Sequence, residues 1–402
     1  MPVNRIYLDH NATSPLRPEA RAAMLAVLEG PANASSVHAE GRAAKAALEQ
    51  ARATIARGLG TAARNVTFTS GATEAANLVL TPMVQCGRES GPMDLLLVGA
   101  GEHPAVLQGR RFAAGTVETV ALTPEGALSL AALDAALARH AGRRVMLAVQ
   151  AVNNETGVIQ PVREAAERVH AAGGLLVCDA TQAIGRIDLT FATSESDFLF
   201  FSSHKLGGPV GAGALAAARE TLHISETHLR GGGQELGRRA GTENVAAIAG
   251  FAAAFEAALR AGEAEGARLA PLRDLAEEKI AQIAPDARFF GRKAARVAGV
   301  SAFAIPGIPA HTLLMALDLS GIAVSSGSAC SSGKVRESHV LAAMGAPEKE
   351  ALRVSLGWST RDDDVEQFGM VLAEVVDRIR SRRSVAWSPA LQRAEPGSAD
   401  GP

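Results

Sequence analysis

The chain has 402 residues, of which 47% are hydrophobic and 20% charged, and its formal net charge is −2. This length predicts two or three structural units, and the small net charge does not favour nucleic acid or an anionic membrane surface as a partner. Three widely spaced cysteines, Cys86, Cys178 and Cys330, predict neither a disulfide framework nor a zinc site. No secretory segment and no apolar run of about 18 residues is apparent, so we expect a cytoplasmic protein without a membrane span.

Short aliphatic runs alternate with alanine-rich helical patterns from about residue 65 to residue 260. Continuous apolar strands separated by helices are typical of a largely parallel α/β sheet with helices on both faces. Helices are predicted over residues 128–140 and 162–172. Strands are predicted over residues 65–69, 94–98, 117–122, 144–149, 174–179, 197–201 and 211–215.

A long helical stretch follows residue 242, extends to about residue 283, and leads into a smaller α+β unit. We predict a large domain over residues 16–260, a small domain formed by residues 1–15 and 261–383, and a disordered tail over residues 384–402. The predicted elements of the small domain are strands 299–304, 322–325 and 352–356 and helices 309–320 and 362–382.

Residues 69–77 (TSGATEAAN) follow a predicted strand, turn on Gly71 and open a helix. The free N–H groups of a helix start, with the Thr73 hydroxyl beside them, form a suitable cradle for a phosphate. An ordinary helix cap, in which Ser70 or Thr73 accepts hydrogen bonds from the backbone, is the alternative.

Asp179 lies at the carboxyl end of a predicted buried strand, where open α/β sheets place their ligands. A carboxylate there could keep the nitrogen of a pyridine ring protonated, although it could equally cap the next helix. Asn154 follows another strand and could contact a phenolic oxygen or simply form a polar turn.

Lys205 follows a strongly apolar strand (FLFF, residues 198–201), and partial burial of its amine favours the neutral, nucleophilic form. Ser202 and His204 beside it offer donors to a phosphate, whereas a solvated surface lysine is the alternative. Together with Asp179 and the phosphate cradle, this pattern indicates a site for pyridoxal phosphate.

Two further residues are candidates for binding the substrate and the cofactor ring. Arg353 is the one charged residue in a predicted strand and suits bidentate binding of a carboxylate, unless it lies on an exposed face. His103 follows the strand at 94–98 and could stack on a flat ring, although capping or core histidines are more common.

Cys330 lies among serines, glycines and alanine in residues 325–333 (SSGSACSSG), which predicts an exposed loop rather than a core. A thiol in such a loop is available for attack on a substrate.

The chain resembles the cysteine desulfurases, which are fold-type-I pyridoxal-phosphate enzymes that take sulfur from L-cysteine. The resemblance covers residues 6 to about 380 and includes the loop of the sulfur-accepting cysteine. It departs from the family pattern at Val210 and Trp358, on loop rims. The matching segments are 7–13 (YLDHNAT), 69–74 (TSGATE), 102–106 (EHPAV), 152–157 (VNNETG), 179–182 (DATQ), 203–205 (SHK), 230–235 (RGGGQE), 241–244 (GTEN) and 326–330 (SGSAC).

The resemblance implies a role for each matching residue. Lys205 would form the Schiff base with pyridoxal 5′-phosphate and Cys330 would take the sulfur, while Arg353 would bind the cysteine carboxylate. Asp179 would pair with the ring nitrogen. His103 would stack on the ring and act in catalysis, and Asn154 and Gln182 would contact the ring oxygen or the substrate. The phosphate would be held by Ala72, Thr73, Ser202 and His204, and by Thr242 of a neighbouring subunit.

The same resemblance implies a homodimer and a protein that accepts the sulfur, such as an iron–sulfur scaffold or a carrier for tRNA thiolation. No resident metal is expected, with Cys330 at most a transient ligand of an iron–sulfur cluster. A selenocysteine lyase or an aminotransferase on the same fold, and an inactive scaffold protein, are the alternatives.

Overall fold

The computed structural model describes residues 5–87, 91–327 and 337–386, with side chains up to residue 381. Its strands are β1 Ile6–Tyr7, β2 Val66–Thr69, β3 Val84–Cys86, β4 Leu95–Gly99, β5 Val117–Val120, β6 Val145–Gln150, β7 Leu175–Asp179, β8 Phe198–Ser202, β9 Gly213–Ala217, β10 Leu222–Ile224, β11 Arg288–Phe290, β12 Val300–Ala304, β13 Ile322–Ala323, β14 Ser325–Ser326 and β15 Leu352–Ser355.

Helices cover both faces of the sheets and connect them. They are α1 Pro18–Leu28, α2 Ala39–Leu59, α3 Ala72–Val79, α4 Pro104–Leu107, α5 Leu130–Arg139, α6 Val162–Ala171, α7 Phe191–Ser194, α8 Val245–Ile283, α9 Ala310–Leu319, α10 His339–Ala343 and α11 Asp362–Ala386.

The central sheet has seven strands in the order β2-β9-β8-β7-β6-β4-β5. Its members are the strands predicted between residues 65 and 215, each displaced by at most a few residues. Strand β9 is antiparallel to both of its neighbours, while the strands from β8 to β5 pair in parallel. The prediction of a largely parallel α/β sheet is therefore confirmed.

Alternate side chains of the central strands enter two separate cores. Leu147 and Leu199 pack against α2, α6 and α8, whereas their neighbours Met146 and Phe198 pack against α3 and α4. Because successive side chains of a strand point to opposite faces, strands covered by helices on both sides must be apolar throughout. This explains the unbroken aliphatic runs in the sequence.

A second sheet, in the order β11-β12-β15-β14, is antiparallel and shares a third core with α9, α11 and the second half of α8. Strand β1 joins this region by pairing with β13. The stretch predicted as one strand over residues 322–325 is instead two short strands, β13 and β14, with Val324 between them. The domain boundaries near residues 15 and 260 remain a prediction.

Helix α8 runs for 39 residues and contacts α1, α2 and α11. By length and mean hydropathy (1.4) it could cross a membrane, but 61% of its most apolar window is buried inside the protein. Phe251 and Phe255 on this helix are fully buried. The prediction that the chain has no apolar stretch of this length considered only unbroken apolar runs, and so it missed α8. The burial of α8 is that of a core helix.

Helices α1 and α2 were not predicted, because their alanine-rich sequences contain few large apolar residues to mark a buried face. Helix α11 continues to Ala386, past the predicted end at residue 382. The predicted disordered tail therefore begins inside a helix, and the sequence from residue 370 to residue 388 contains neither glycine nor proline to end it. Residues 387–402 lie outside the described residues.

Candidate active site

A cavity of about 580 Å³ opens at the carboxyl ends of β6, β7 and β8. Parallel strands end at the same edge of a sheet, which brings together side chains that are far apart in the sequence. Of the predicted site residues that lie within the described ranges, all except Thr242 line this cavity. They are Ala72, Thr73, His103, Asn154, Asp179, Gln182, Ser202, His204, Lys205 and Arg353.

Lys205 ends a single turn of 3-10 helix that directly follows β8. Its Nζ donates hydrogen bonds to the carbonyl oxygens of Asn11 (2.6 Å) and Ala12 (2.7 Å). The chain then turns at Gly207, whose φ of +83° is the left-handed conformation that favours glycine. Lys205 is therefore a partly buried amine held at the wall of the cavity, not a solvated surface lysine.

Asp179 is 7% exposed at the end of β7, and its Oδ1 accepts a hydrogen bond from the backbone N–H of Thr181 (2.9 Å). Burial raises the pKa of the Asp179 carboxyl, while the Thr181 hydrogen bonds and the Lys205 charge oppose that rise. The helix-capping alternative for Asp179 is wrong, because the next helix, α7, begins only at Phe191. The side chain instead closes a local turn and lines the cavity. It is a buried carboxyl on which a cationic ring nitrogen would be favoured.

The first turn of helix α3 also lines the cavity. No side chain in the described part of the chain caps this helix, whose N-cap is Gly71. The capping alternative for Ser70 and Thr73 is therefore wrong, and the first N–H groups are available to an anion. Glu74 also lines this region, but its carboxylate is paired with Arg239 (2.9 Å).

The two histidines of the cavity are neutral. His103 precedes α4, where its Nδ1 accepts a hydrogen bond from the Ala105 N–H (3.1 Å), so that Nε2 carries the ring proton. Burial, with the charges of Lys205 and His339, lowers the pKa of His103 to about 4. Burial and Lys205 likewise lower the pKa of His204 to about 4. His103 therefore caps α4 and also lines the cavity.

Arg353 of β15 lies at the other end of the cavity and is 5% exposed. Its Nη1 donates to the carbonyl oxygen of Asn154 (2.8 Å) and its Nη2 to Oδ1 of Asp9 (2.8 Å). Among the described residues, no acceptor lies within hydrogen-bonding distance of its Nε. The exposed-face alternative is wrong, and this guanidinium keeps donors that a carboxylate could use.

The cavity fits pyridoxal phosphate. Within the described ranges, Oε1 of Gln182 is buried and has no hydrogen-bond partner, which is unusual unless a ligand contacts it. An uncapped helix start, Ser202 and His204 line the same cavity as the Lys205 amine and the buried Asp179 carboxyl. These are the groups required for the phosphate, the aldehyde and the ring nitrogen of the cofactor.

Two predicted residues stand apart from this group. Thr242 is exposed and does not line the cavity, and its predicted contact with a neighbouring subunit remains a prediction. Cys330 lies outside the described residues. Sequence reasoning missed the roles of Asp9 and Asn11, although both belong to the matching segment 7–13, because nothing local shows that they contact residues at positions 154–353.

Comparisons with known proteins agree with this geometry. An IscS-like cysteine desulfurase of Mycobacterium tuberculosis is 37% identical over 93% of this chain and 97% of its own length. A cysteine desulfurase of Frankia is 38% identical over 94% of this chain and 92% of its own length. The crystal structure of a NifS-like protein of Rickettsia africae superposes with a TM-score of 0.82 at 30% identity, covering 93% of this chain and all of that chain.

The model of the class-V aminotransferase family matches residues 6–368. This match spans both sheets and every described residue that lines the cavity. The fold is that of the fold-type-I enzymes, whose cofactor is pyridoxal phosphate. The chain belongs to the class-V aminotransferase family.

Proposed function

We propose that this protein is a cysteine desulfurase, which converts L-cysteine to L-alanine and transfers the sulfur to Cys330. The observation that carries the proposal is the meeting of Lys205, Asp179 and Arg353 around one cavity. An amine, a buried carboxyl and a guanidinium so placed suit an amino-acid substrate bound through its carboxylate. The two relatives named above are called cysteine desulfurases, and this chain matches them over nearly their whole length.

Different residues of the cavity bind the substrate carboxylate and remove the α-proton. Arg353 binds the carboxylate with the N–H groups that Asp9 and Asn154 leave unused, which orients the α-carbon toward Lys205. Pyridoxal phosphate, when bound, supplies an electron-withdrawing ring that accepts the electron pair left on the α-carbon. Neutral Lys205 removes the α-proton and holds it on Nζ, beside the carbonyls of Asn11 and Ala12.

The sulfur transfer needs no external oxidant or reductant. The thiolate of Cys330 attacks the substrate sulfur, a sulfur–sulfur bond forms, and the bond between sulfur and the substrate β-carbon breaks. The electron pair of the broken bond remains with the substrate carbon, which takes up a proton to become the methyl group of alanine. Cysteine and one enzyme thiol thus yield alanine and one enzyme persulfide.

The persulfide then passes its sulfur to an acceptor protein that serves iron–sulfur cluster assembly or tRNA thiolation in the cytoplasm. The active form is a homodimer, in which Thr242 reaches the phosphate site of the partner. The exposure of Thr242 and of the apolar side chains Leu229 (39%), Leu236 (72%) and Val210 (74%) supports such an interface. Neither a membrane nor nucleic acid takes part directly.

The experiment that tests the proposal is Cys330→Ser, with Cys86→Ser as a matched control. Each cofactor-loaded protein is incubated with L-cysteine without reductant, and alanine and the mass of the peptide that contains residue 330 are measured. We expect an extra sulfur atom on that peptide in the parent protein and in Cys86→Ser. Cys330→Ser should carry no sulfur there and should form alanine only at background rate. Unchanged alanine and sulfide production by Cys330→Ser would refute the proposal.

A further inference from the structure

The sequence alone predicted no role for Asn11. In the structure this residue is only 1% exposed and lines the cavity. Its carbonyl oxygen accepts two hydrogen bonds, from Nζ of Lys205 (2.6 Å) and from Nε2 of Gln182 (2.9 Å). Its own N–H donates to the Ser355 hydroxyl at the end of β15 (3.0 Å). The backbone of Asn11 therefore contacts elements from both sheets.

The side chain of Asn11 is held from two sides. Its Oδ1 accepts a hydrogen bond from Nη1 of Arg186 (2.5 Å), and its Nδ2 donates to the carbonyl oxygen of Asn154 (3.1 Å). The same Asn154 carbonyl accepts from Arg353 (2.8 Å). A single residue thus connects the lysine amine to the arginine that binds the substrate carboxylate.

Only an amide serves both of these contacts. Alanine would lose both, and aspartate would turn an acceptor toward the Asn154 carbonyl, where the structure requires a donor. Arg186 is partly buried, and desolvation lowers its pKa to about 10, so it remains a cation at neutral pH. An aspartate at position 11 would pair with Arg186 and bring a negative charge near Lys205.

We propose, building on the desulfurase function, that Asn11 is a positioning residue that orients the Asn11 and Ala12 carbonyls to receive the Lys205 ammonium. Lysine becomes cationic when it takes up the substrate α-proton, and two carbonyl oxygens stabilise that cation. Through Asn154, Asn11 also sets the distance between this acceptor site and Arg353. Proton removal and carboxylate binding are thereby coupled.

Several charged or titratable groups surround Lys205. Asp179 approaches it from β7, His103 from the start of α4 and His204 from its own turn. These groups remain in place in the Asn11 variants. A change between variants therefore reports the carbonyl site rather than the general environment of the lysine.

The test uses the full chain freed of cofactor and treated with a limiting amount of an amine-reactive reagent at a series of pH values. Mass spectrometry of the Lys205 peptide gives the midpoint of its reactivity. We expect Asn11→Ala to lower the midpoint by about one pH unit, or about tenfold in rate at a fixed pH, because the ammonium loses its fixed acceptors. Asn11→Asp should raise the midpoint, because its carboxylate favours the ammonium.

Asn65→Ala is the matched control, because Asn65 is equally buried (5% exposed) but lies beside β2 and donates to Thr61. It should leave the midpoint unchanged. In the cofactor-loaded enzymes, Asn11→Ala should lower kcat several-fold and raise KM for L-cysteine, whereas Asn65→Ala should do neither.

Midpoints in both Asn11 variants equal to that of Asn65→Ala would overturn the inference. If Asn11→Ala does not fold, Asn11→Ser replaces it, because serine adds no charge and cannot make both amide contacts; an unshifted midpoint in that variant would equally overturn the inference. The labelling result does not depend on desulfurase activity. Shifted midpoints in a protein that forms no persulfide would therefore refute the proposed function and leave the role of Asn11 standing.

Discussion

Two buried arginines of this protein, Arg52 and Arg353, serve different purposes. Arg52 lies on α2 and is 7% exposed. Its Nη1 and Nη2 contact both carboxylate oxygens of Glu235 (2.7 and 2.8 Å), Nη1 also donates to the Val66 carbonyl (2.8 Å), and Nε reaches Glu49 (3.3 Å). Every nitrogen of this guanidinium has a partner.

Arg353 is equally buried but only partly satisfied, since it meets one oxygen of Asp9 and the Asn154 carbonyl. Within the described ranges its Nε has no partner. A saturated guanidinium can only hold the structure together, whereas an unsaturated one at the wall of a cavity can bind an anion. Burial alone does not distinguish the two arginines, but their remaining hydrogen-bonding capacity does.

The backbone at Glu235 and Leu236 shows what the ion pair with Arg52 stabilises. Glu235 and Leu236 adopt φ values of +50° and +58°, a left-handed conformation that is costly for residues other than glycine. The ion pair with Arg52 and the hydrogen bond from the Phe68 N–H (2.8 Å) hold Glu235 in this conformation. The pair therefore fixes the segment that leads to Thr242.

The largest effect that we expect is a loss of activity when Arg353 is replaced. Arg353→Met should lower kcat/KM for L-cysteine about a thousandfold, because losing a buried charge-assisted contact costs about 4 kcal/mol. Its melting temperature should fall only modestly, since Asp9 is partly exposed and can be solvated. Steady-state kinetics and thermal unfolding measure the two quantities.

Arg361→Met is the control for that change, because Arg361 is an exposed arginine paired with Asp364. It should leave kcat/KM within about twofold of the parent value, as expected of a surface ion pair. Full activity in Arg353→Met would show that the substrate carboxylate binds elsewhere.

Arg52→Met should instead act on stability. Removing one partner of a buried pair leaves the Glu235 carboxylate, whose side chain is 1% exposed, without a counter-charge, and lowers the free energy of unfolding by about 3 kcal/mol. Urea denaturation measures this loss.

The double variant Arg52→Met/Glu235→Met tests the explanation of that loss. It should recover most of the lost stability, because two apolar side chains of similar size leave no unpaired charge. A double variant no more stable than Arg52→Met would mean that the backbone conformation at residue 235, rather than the charge, sets the cost.

The central sheet was predictable from the sequence because its strands are buried on both faces and so appear as unbroken aliphatic runs. Residues Asp179 and Lys205 were predictable as well, since Asp179 ends such a strand, Lys205 lies one short turn beyond another, and the carboxyl ends of strands share one edge. What remained open was whether Arg353 faces solvent or the cavity. A single strand with one charged residue is compatible with both.

The contacts that organise the site were not predictable, because they join distant positions. Asn11 meets Arg186 and Asn154, and Asp9 meets Arg353, more than 340 residues away along the chain. The pairing of β1 with β13 places these N-terminal residues between the two sheets. A strand of two residues gives no periodic pattern from which such a position could be inferred.

An effect that appears only at acidic pH sets the site region apart from the Arg52 pair. His10 is 1% exposed, and its Nδ1 lies 3.0 Å from the Ser14 hydroxyl. Burial, together with the nearby charges of Arg186, Arg17 and Arg268, lowers the pKa of His10 to about 3. Below its ordinary pKa of about 6.5, the unfolded chain therefore binds a proton at this position that the folded chain does not.

The sign of the effect follows from that difference. The contribution of neutral His10 to stability is complete above about pH 6.5 and is lost as the pH falls toward the folded value, by roughly 3 kcal/mol between about pH 7 and about pH 4. His10→Asn lacks the titration. Its free energy of unfolding should lie below that of the parent at pH 7, and the gap should narrow by that amount at pH 4. Asn65→Ala provides the control, because it removes a buried polar side chain that does not titrate, so its gap from the parent should not change with pH. Since the other titrating groups are common to both proteins, a gap for His10→Asn that stays constant would mean that folding does not shift the pKa of His10.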